Sequence, residues 1–154
     1  MPFREEESEF MRLAIAASQR AVANGNMPFG ATLVREGEVL QVSCNNQLTA
    51  SDCTGHAEVV LIREAAAKHG LLAVRDATVY ASGEPCAMCS GAMFWAGVAR
   101  VVYAATNPDI IAALGGPSLT LRCADVFAAG NRSVVVDGPL LRDEAVAVLR
   151  AYGK

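Results

Sequence analysis

Residues 77–105 read ATVYASGEPCAMCSGAMFWAGVARVVYAA. Two apolar runs, 77–81 and 100–105, carry the β-branched and aromatic residues of core strands, with Val101, Val102 and Tyr103 strongest in the second. Between them a strongly helical stretch begins near Cys86, immediately after Pro85. Proline suits that entry, because its missing amide hydrogen costs little before or at the first turn of a helix. The segment therefore predicts strand, helix, strand, with a connection long enough to cross over.

The same pattern extends outward. On the N-terminal side, residues 56–69 are rich in helix formers, offer Val59, Val60, Ile62, Ala66 and Ala67 for burial, and stop at Gly70. Residues 33–44 alternate loosely around Gly37 and predict a hairpin. In residues 8–24, Phe10, Leu13, Ala14, Ala17 and Ala21 recur every three or four positions, marking one helical face that ends at Gly25. On the C-terminal side, 133–137 reads as a strand and 140–152 as a closing helix. Residues 107–130 are broken by Gly115-Gly116-Pro117 and suggest a short helix, a loop and another helix. Helices alternating with apolar strands predict an α/β sheet covered on both faces. No repeat or linker divides the chain, so a single domain over 1–154 is expected.

With 53% hydrophobic residues in a chain of 154, disorder is excluded. The net charge is -3, and the arginines are scattered from Arg4 to Arg150 without forming a basic stripe. Broad nucleic-acid affinity is not indicated. The five cysteines are odd in number, the N-terminus Met1-Pro-Phe-Arg-Glu lacks a signal-peptide pattern, and no apolar stretch reaches bilayer length. A cytoplasmic protein with no membrane partner is expected.

Chemistry concentrates in His56-Ala57-Glu58 and Pro85-Cys86-Ala87-Met88-Cys89. One imidazole and two thiolates can hold zinc and leave a fourth position open. Cys86 and Cys89 are three apart, so at a helix start both sulfurs can face one ion, where unpaired amides stabilise thiolates. His56 lies at the opening of its own helix, and Glu58, in the first turn, need not bind the metal. Its expected role is to accept a proton from a water activated in the open position and return it to a leaving nitrogen. Taken alone, Cys86 and Cys89 also suit a redox pair or a structural half-site. A closed structural site would need Cys44, Cys53 or Cys123 as fourth ligand.

In order and spacing these residues match the zinc-deaminase signature. The chain resembles the cytidine-deaminase-like zinc hydrolase superfamily, particularly the branch of guanine, yeast-type cytosine and bacterial tRNA adenosine deaminases. The likeness runs from Met27-Pro-Phe-Gly-Ala31 through Asn45 and His56-Ala-Glu58 to Gly83-Glu-Pro-Cys-Ala-Met-Cys-Ser-Gly-Ala-Met93 and Tyr103-Ala-Ala105. It implies a three-layer α/β/α sandwich around a five-stranded mixed sheet, commonly dimeric. It also implies Zn2+ held by His56, Cys86 and Cys89, with Glu58 as proton shuttle. Asn45 would bond to the substrate ring edge, the Ala57 amide would meet the same edge, and Phe29 would pack near the ring; without the resemblance, Asn45 also suits a turn just after a strand and Phe29 ordinary core packing.

Guanine deaminases look most similar around Gly91-Ala-Met-Phe-Trp-Ala96, yet their downstream acidic residue has no counterpart in Leu114-Gly-Gly-Pro-Ser118. Asp109 and Asp125 flank that gap as pocket candidates, although Asp109 equally suits a turn or helix entry. Tyr152 is a candidate cap on the pocket, against ordinary helix packing. A small aminoheterocycle is therefore the expected substrate: guanine, cytosine, isocytosine or an amino-s-triazine. A tRNA adenosine deaminase ranks below it, since Arg122 is the one formal cation in 107–130 and Arg20, Arg63 and Arg100 would have to be gathered by folding. A non-catalytic structural zinc protein is the third reading. For the expected homodimer, Phe94, Trp95 and Val98 fill either the core or an interface.

Overall fold

In a computed structural model describing residues 2–153, the chain forms α1 (Glu5–Ala23), β1 (Gly30–Arg35), β2 (Glu38–Cys44), α2 (Ala57–His69), β3 (Thr78–Gly83), α3 (Ala87–Ala96), β4 (Arg100–Ala105), α4 (Asn107–Leu114), α5 (Cys123–Ala128), β5 (Val135–Asp137) and α6 (Arg142–Tyr152). Met1 and Lys154 lie outside the described residues. The sheet order is β2-β1-β3-β4-β5. β1 runs antiparallel to β2 and β3, whereas β3, β4 and β5 are parallel. This is the mixed five-stranded α/β sheet expected from the resemblance.

Strand alternation divides the core. Val79 and Val101 face a cluster with Leu61 of α2, Met93 of α3 and Phe127 of α5, while their neighbours Tyr80 and Val102 face Met11 and Ala14 of α1 and Val146 of α6. α4 packs on α6. Gly30 is required where α1 crosses β1: a Cβ there would lie 2.2 Å from the Ala14 carbonyl oxygen. The β1–β2 turn places Glu36 and Gly37 at φ 52° and 77°, the left-handed pair that a tight hairpin needs.

Several boundaries differ from the sequence reading: β1 starts at Gly30 rather than at 33, β3 runs Thr78–Gly83 rather than 77–81, and three others differ for a local reason. α1 begins at Glu5, a turn ahead of the apolar pattern, because Glu5, Glu6 and Glu7 favour the helix N-terminus and the Glu7 carboxylate accepts the Arg4 N–H at 3.0 Å. β5 covers three residues rather than 133–137. Just before it, the Arg132 guanidinium donates to the Val98 and Phe94 carbonyls at 2.8 and 2.7 Å, and the ladder resumes at Val135. α6 starts at Arg142 instead of 140, since Leu140 donates its N–H to the Tyr103 carbonyl at 3.0 Å and Leu141 is left-handed at φ 56°.

The strand registers decide where a site can form. Gly30 pairs with Cys44, Ala31 with Ala81, and Gly83 with Ala105. The start of β1 and the ends of β2, β3 and β4 therefore share one edge of the sheet. Phe29, Asn45, the Glu84–Cys86 stretch and the start of α4 follow from that edge. Among the described residues, no helix is long and apolar enough to cross a membrane.

Candidate functional site

Two helix starts meet at this edge. His56 is the N-cap of α2 with extended backbone, and Cys86 is the N-cap of α3. Cys89 then occupies the third helical position, and its N–H faces the Cys86 sulfur at 3.5 Å. The relation is that of a capping side chain to the amide three residues on, with sulfur in place of oxygen. α2 packs on α3, which carries the imidazole to the sulfurs.

His56 Nδ1 lies 3.5 Å from the Sγ of both Cys86 and Cys89, and the three ligand atoms fall within 4.8 Å of one another. Tetrahedral zinc with Zn–S near 2.3 Å and Zn–N near 2.0–2.1 Å implies an N···S edge of about 3.6 Å. The donor set fits such an ion. Its electrostatics agree: hydrogen bonds from Cys89 and His56 hold the Cys86 thiol down to about 4, while the shared bond and burial push Cys89 upward. The Cys86 bond also raises His56.

None of the remaining cysteines joins this group. Cys44 donates to the Ala17 carbonyl at 3.2 Å, Cys53 is exposed, and Cys123 is buried with its N–H on Glu84 at 3.3 Å. The fourth protein ligand that a closed site requires is not supplied by Cys44, Cys53 or Cys123.

Glu58 sits in the first turn of α2 at 5% exposure. Burial, then the negative charge of Cys86, pushes its carboxyl up to about 7. Its neighbours are the sulfurs and the imidazole, and the Cys89 hydrogen bond and the His56 charge draw it partly back down. Ala57, buried, opens α2, so its N–H is among the donors a helix leaves without an internal partner.

Asn45 follows β2 at 1% exposure, held by its N–H to the Phe29 carbonyl at 3.0 Å. The adjacent Asn46 N–H donates to Gly55 at 2.9 Å, which draws Asn45 beside the approach to His56. Phe29 is partly buried against both core clusters, and its ring occupies the space a Cβ on Gly83 would need.

Asp109 and Tyr152 are placed differently. Asp109 caps α4 in a reciprocal pair with Thr106, and both its oxygens bind Arg142, at 2.6 and 2.7 Å. The Arg142 guanidinium holds its carboxyl well below the usual range. Asp125 is an exposed residue in the first turn of α5. Tyr152 ends α6, and the next residue, Gly153, approaches the Ala113 carbonyl near the far end of α4 from Asn107. Within one chain neither Asp109 nor Tyr152 joins the cluster.

The sequence reading passed over Glu84. Its buried carboxylate receives Arg122 Nε at 2.8 and 2.9 Å, the Asn107 N–H at 2.9 Å and the Cys123 N–H at 3.3 Å. Burial would raise it, yet these donors hold it below its ordinary value. It fastens the segment before Cys86 to the starts of α4 and α5. The available signal was an acid beside Pro85 and a lone arginine downstream. Arg122 is accordingly a paired charge, as are Arg63 with Asp52 and Arg100 with Glu7 and Asp137.

Residues 4–105 match the family described as the cytidine and deoxycytidylate deaminase zinc-binding region. The chain is similar to a probable cytosine deaminase of Schizosaccharomyces pombe, 33% identical over 151 residues that cover 92% of this chain and 89% of the relative. It is 40% identical to the guanine deaminase of Bacillus subtilis over 101 residues, 65% of each chain. A solved tRNA:A34 deaminase that edits A to I at the wobble position superposes with a TM-score of 0.77 and 28% identity, covering 92% of this chain and 99% of the other. With the zinc-binding region matched from α1 through β4, the chain belongs to the cytidine and deoxycytidylate deaminase family.

Proposed function

We propose that this chain is a zinc-dependent hydrolytic deaminase of a free amino-substituted nucleobase or a related aminoheterocycle, with His56, Cys86 and Cys89 as ligands. The observation that carries the reading is the convergence of those three donors at two helix starts beside a buried glutamate. Zinc bound there lowers the pKa of water in its open position.

The chain's own groups supply the rest. Glu58 accepts a proton from the attacking water as the C–O bond forms, and delivers it to the neighbouring ring nitrogen. It then carries the second water proton to the exocyclic amine as the C–N bond breaks. Ammonia leaves and a carbonyl remains. Asn45 and the Ala57 N–H hold the ring edge, and Phe29 packs against the ring. Burial around the pair keeps bulk water from competing for the proton.

A free base is favoured over tRNA because, of the four arginines that would have to be gathered, Arg63, Arg100 and Arg122 are each paired with a carboxylate, and Arg20 by itself makes no basic surface. Zinc-loaded protein offered guanine, cytosine, isocytosine and amino-s-triazines should release ammonia with at least one, and Glu58→Gln should slow that release by about 10²–10⁴-fold. Silence across the panel together with efficient inosine formation in tRNA would transfer the assignment to the tRNA adenosine reading.

A homodimer is part of the proposal. Trp95 stands 85% exposed on α3, while Val98 is fully buried in the core and Phe94 packs under Arg132. Light scattering should report twice the chain mass for the native protein and a shift toward monomer for Trp95→Ala; a native monomer at all concentrations would contradict it.

A further inference from the structure

The Asn45 carboxamide is bound on both sides by one residue. Its Oδ1 accepts the Gln47 N–H at 3.0 Å, and its Nδ2 donates to Gln47 Oε1 at 2.7 Å. A backbone N–H can only donate, so the first contact identifies the oxygen end of Asn45 and fixes the amide's orientation. One lone pair and one N–H remain free for another partner.

Gln47 is itself held in place. Its carbonyl accepts the Asp52 N–H at 3.0 Å, and Asn26 Oδ1 receives the Leu48 and Thr49 N–H groups at 3.0 Å each. The segment is further closed by the Asn46–Gly55 bond, one residue from His56. The Gln47 side chain thus projects from a fastened backbone onto Asn45.

We propose that Gln47 is a positioning residue for ring recognition: its reciprocal pair of hydrogen bonds locks Asn45 so that the same donor and acceptor always meet the incoming heterocycle. This rests on the ring-binding role proposed above for Asn45. A preset amide reduces the ordering required on binding, so the effect belongs in substrate affinity rather than in the chemical step. Gln47→Met keeps the length and the backbone N–H but removes the acceptor; Gln47→Glu restores an oxygen at the same reach.

With guanine, cytosine, isocytosine and melamine as probes, Gln47→Met should raise KM about five- to tenfold for the substrate turned over, the effect of one neutral hydrogen bond, with kcat changed less than about twofold. Gln47→Glu should return KM to near the native value. In an Asn45→Ala background, Gln47→Met should add nothing. Independently of turnover, the Asn45 side-chain amide should give one slowly exchanging proton by NMR in the native protein and lose it in Gln47→Met. Gln47→Ala serves as second variant, and melting temperature and zinc content are matched throughout. An unchanged KM, an equal loss without Asn45, or a freely exchanging native Asn45 amide would overturn the proposal. Native KM and kcat in Asn45→Ala would instead remove the ring-binding role itself, and the recognition role of Gln47 with it.

Discussion

Glu7 and Glu58 are both buried glutamates in the first turns of helices, at 3% and 5% exposure, but their surroundings are opposite. Around Glu7, on the α1 face, burial would raise the carboxyl, but the Arg4 N–H, the Arg100 guanidinium and the Tyr80 hydroxyl at 3.0 Å together hold it below its ordinary value. Around Glu58, burial acts with the charge of Cys86, and the Cys89 hydrogen bond and the His56 imidazole offset them only in part. The first acid is a joint between α1, β3 and β4. The second, its carboxyl raised instead of lowered, stands where three metal-capable donors converge. Two residues of the same type thus divide into structure and chemistry by the partners they are given.

The largest effect that would test this division is at Glu58. Glu58→Gln should lower kcat by about 10²–10⁴-fold while zinc content and melting temperature stay near native, as expected of a proton carrier rather than a ligand. Comparable loss of zinc would merge it with the ligand set. Cys89→Ala should show the converse, with metal stoichiometry by elemental analysis falling together with activity.

On the other side, Arg100→Met leaves Glu7 buried without its cation and should cost about 3 kcal/mol in denaturant unfolding, with kcat per folded molecule preserved. The pH dependence follows from the sign of the shift. Because the folded value of Glu7 is lowered, its contribution is complete above the unfolded glutamate pKa and is lost as pH falls through the folded value. Glu7→Gln should therefore flatten the acid limb of the stability curve, which an unchanged limb would refute.

The smallest effect concerns Asp109. Asp109→Asn removes charge from an α4 cap and from the Arg142 pair, so it should cost about 0.5–1.5 kcal/mol in stability and leave KM and kcat intact. A tenfold fall in kcat would bring Asp109 into the chemistry.

Elements with strong periodicity were legible from the chain: the β3–α3–β4 run, α2 ending at Gly70, and the interrupted pair of helices in 107–130. Strand order was not, because it depends on which side of the hairpin β3 joins, a long-range choice with no local signature. The gathering of His56, Cys86 and Cys89 was readable because their order and spacing match the zinc-deaminase signature, which their places at helix starts make physically sensible. Asn45 and Phe29 were approached only through family resemblance. Glu84 with Arg122, Glu7 with Tyr80 and Arg100, and Gln47 with Asn45 were missed. The first two join residues 38 to 93 positions apart. The third is local, but a glutamine two residues after an asparagine has no distinctive pattern.

The central claim is an open metal centre held by one imidazole and two thiolates. X-ray absorption at the zinc edge of the loaded native protein addresses it directly. Two sulfurs at about 2.3 Å are expected, with the remaining donors nitrogen or oxygen at about 2.0–2.1 Å. A third sulfur in the shell, lost on substitution of Cys44, Cys53 or Cys123, would contradict it.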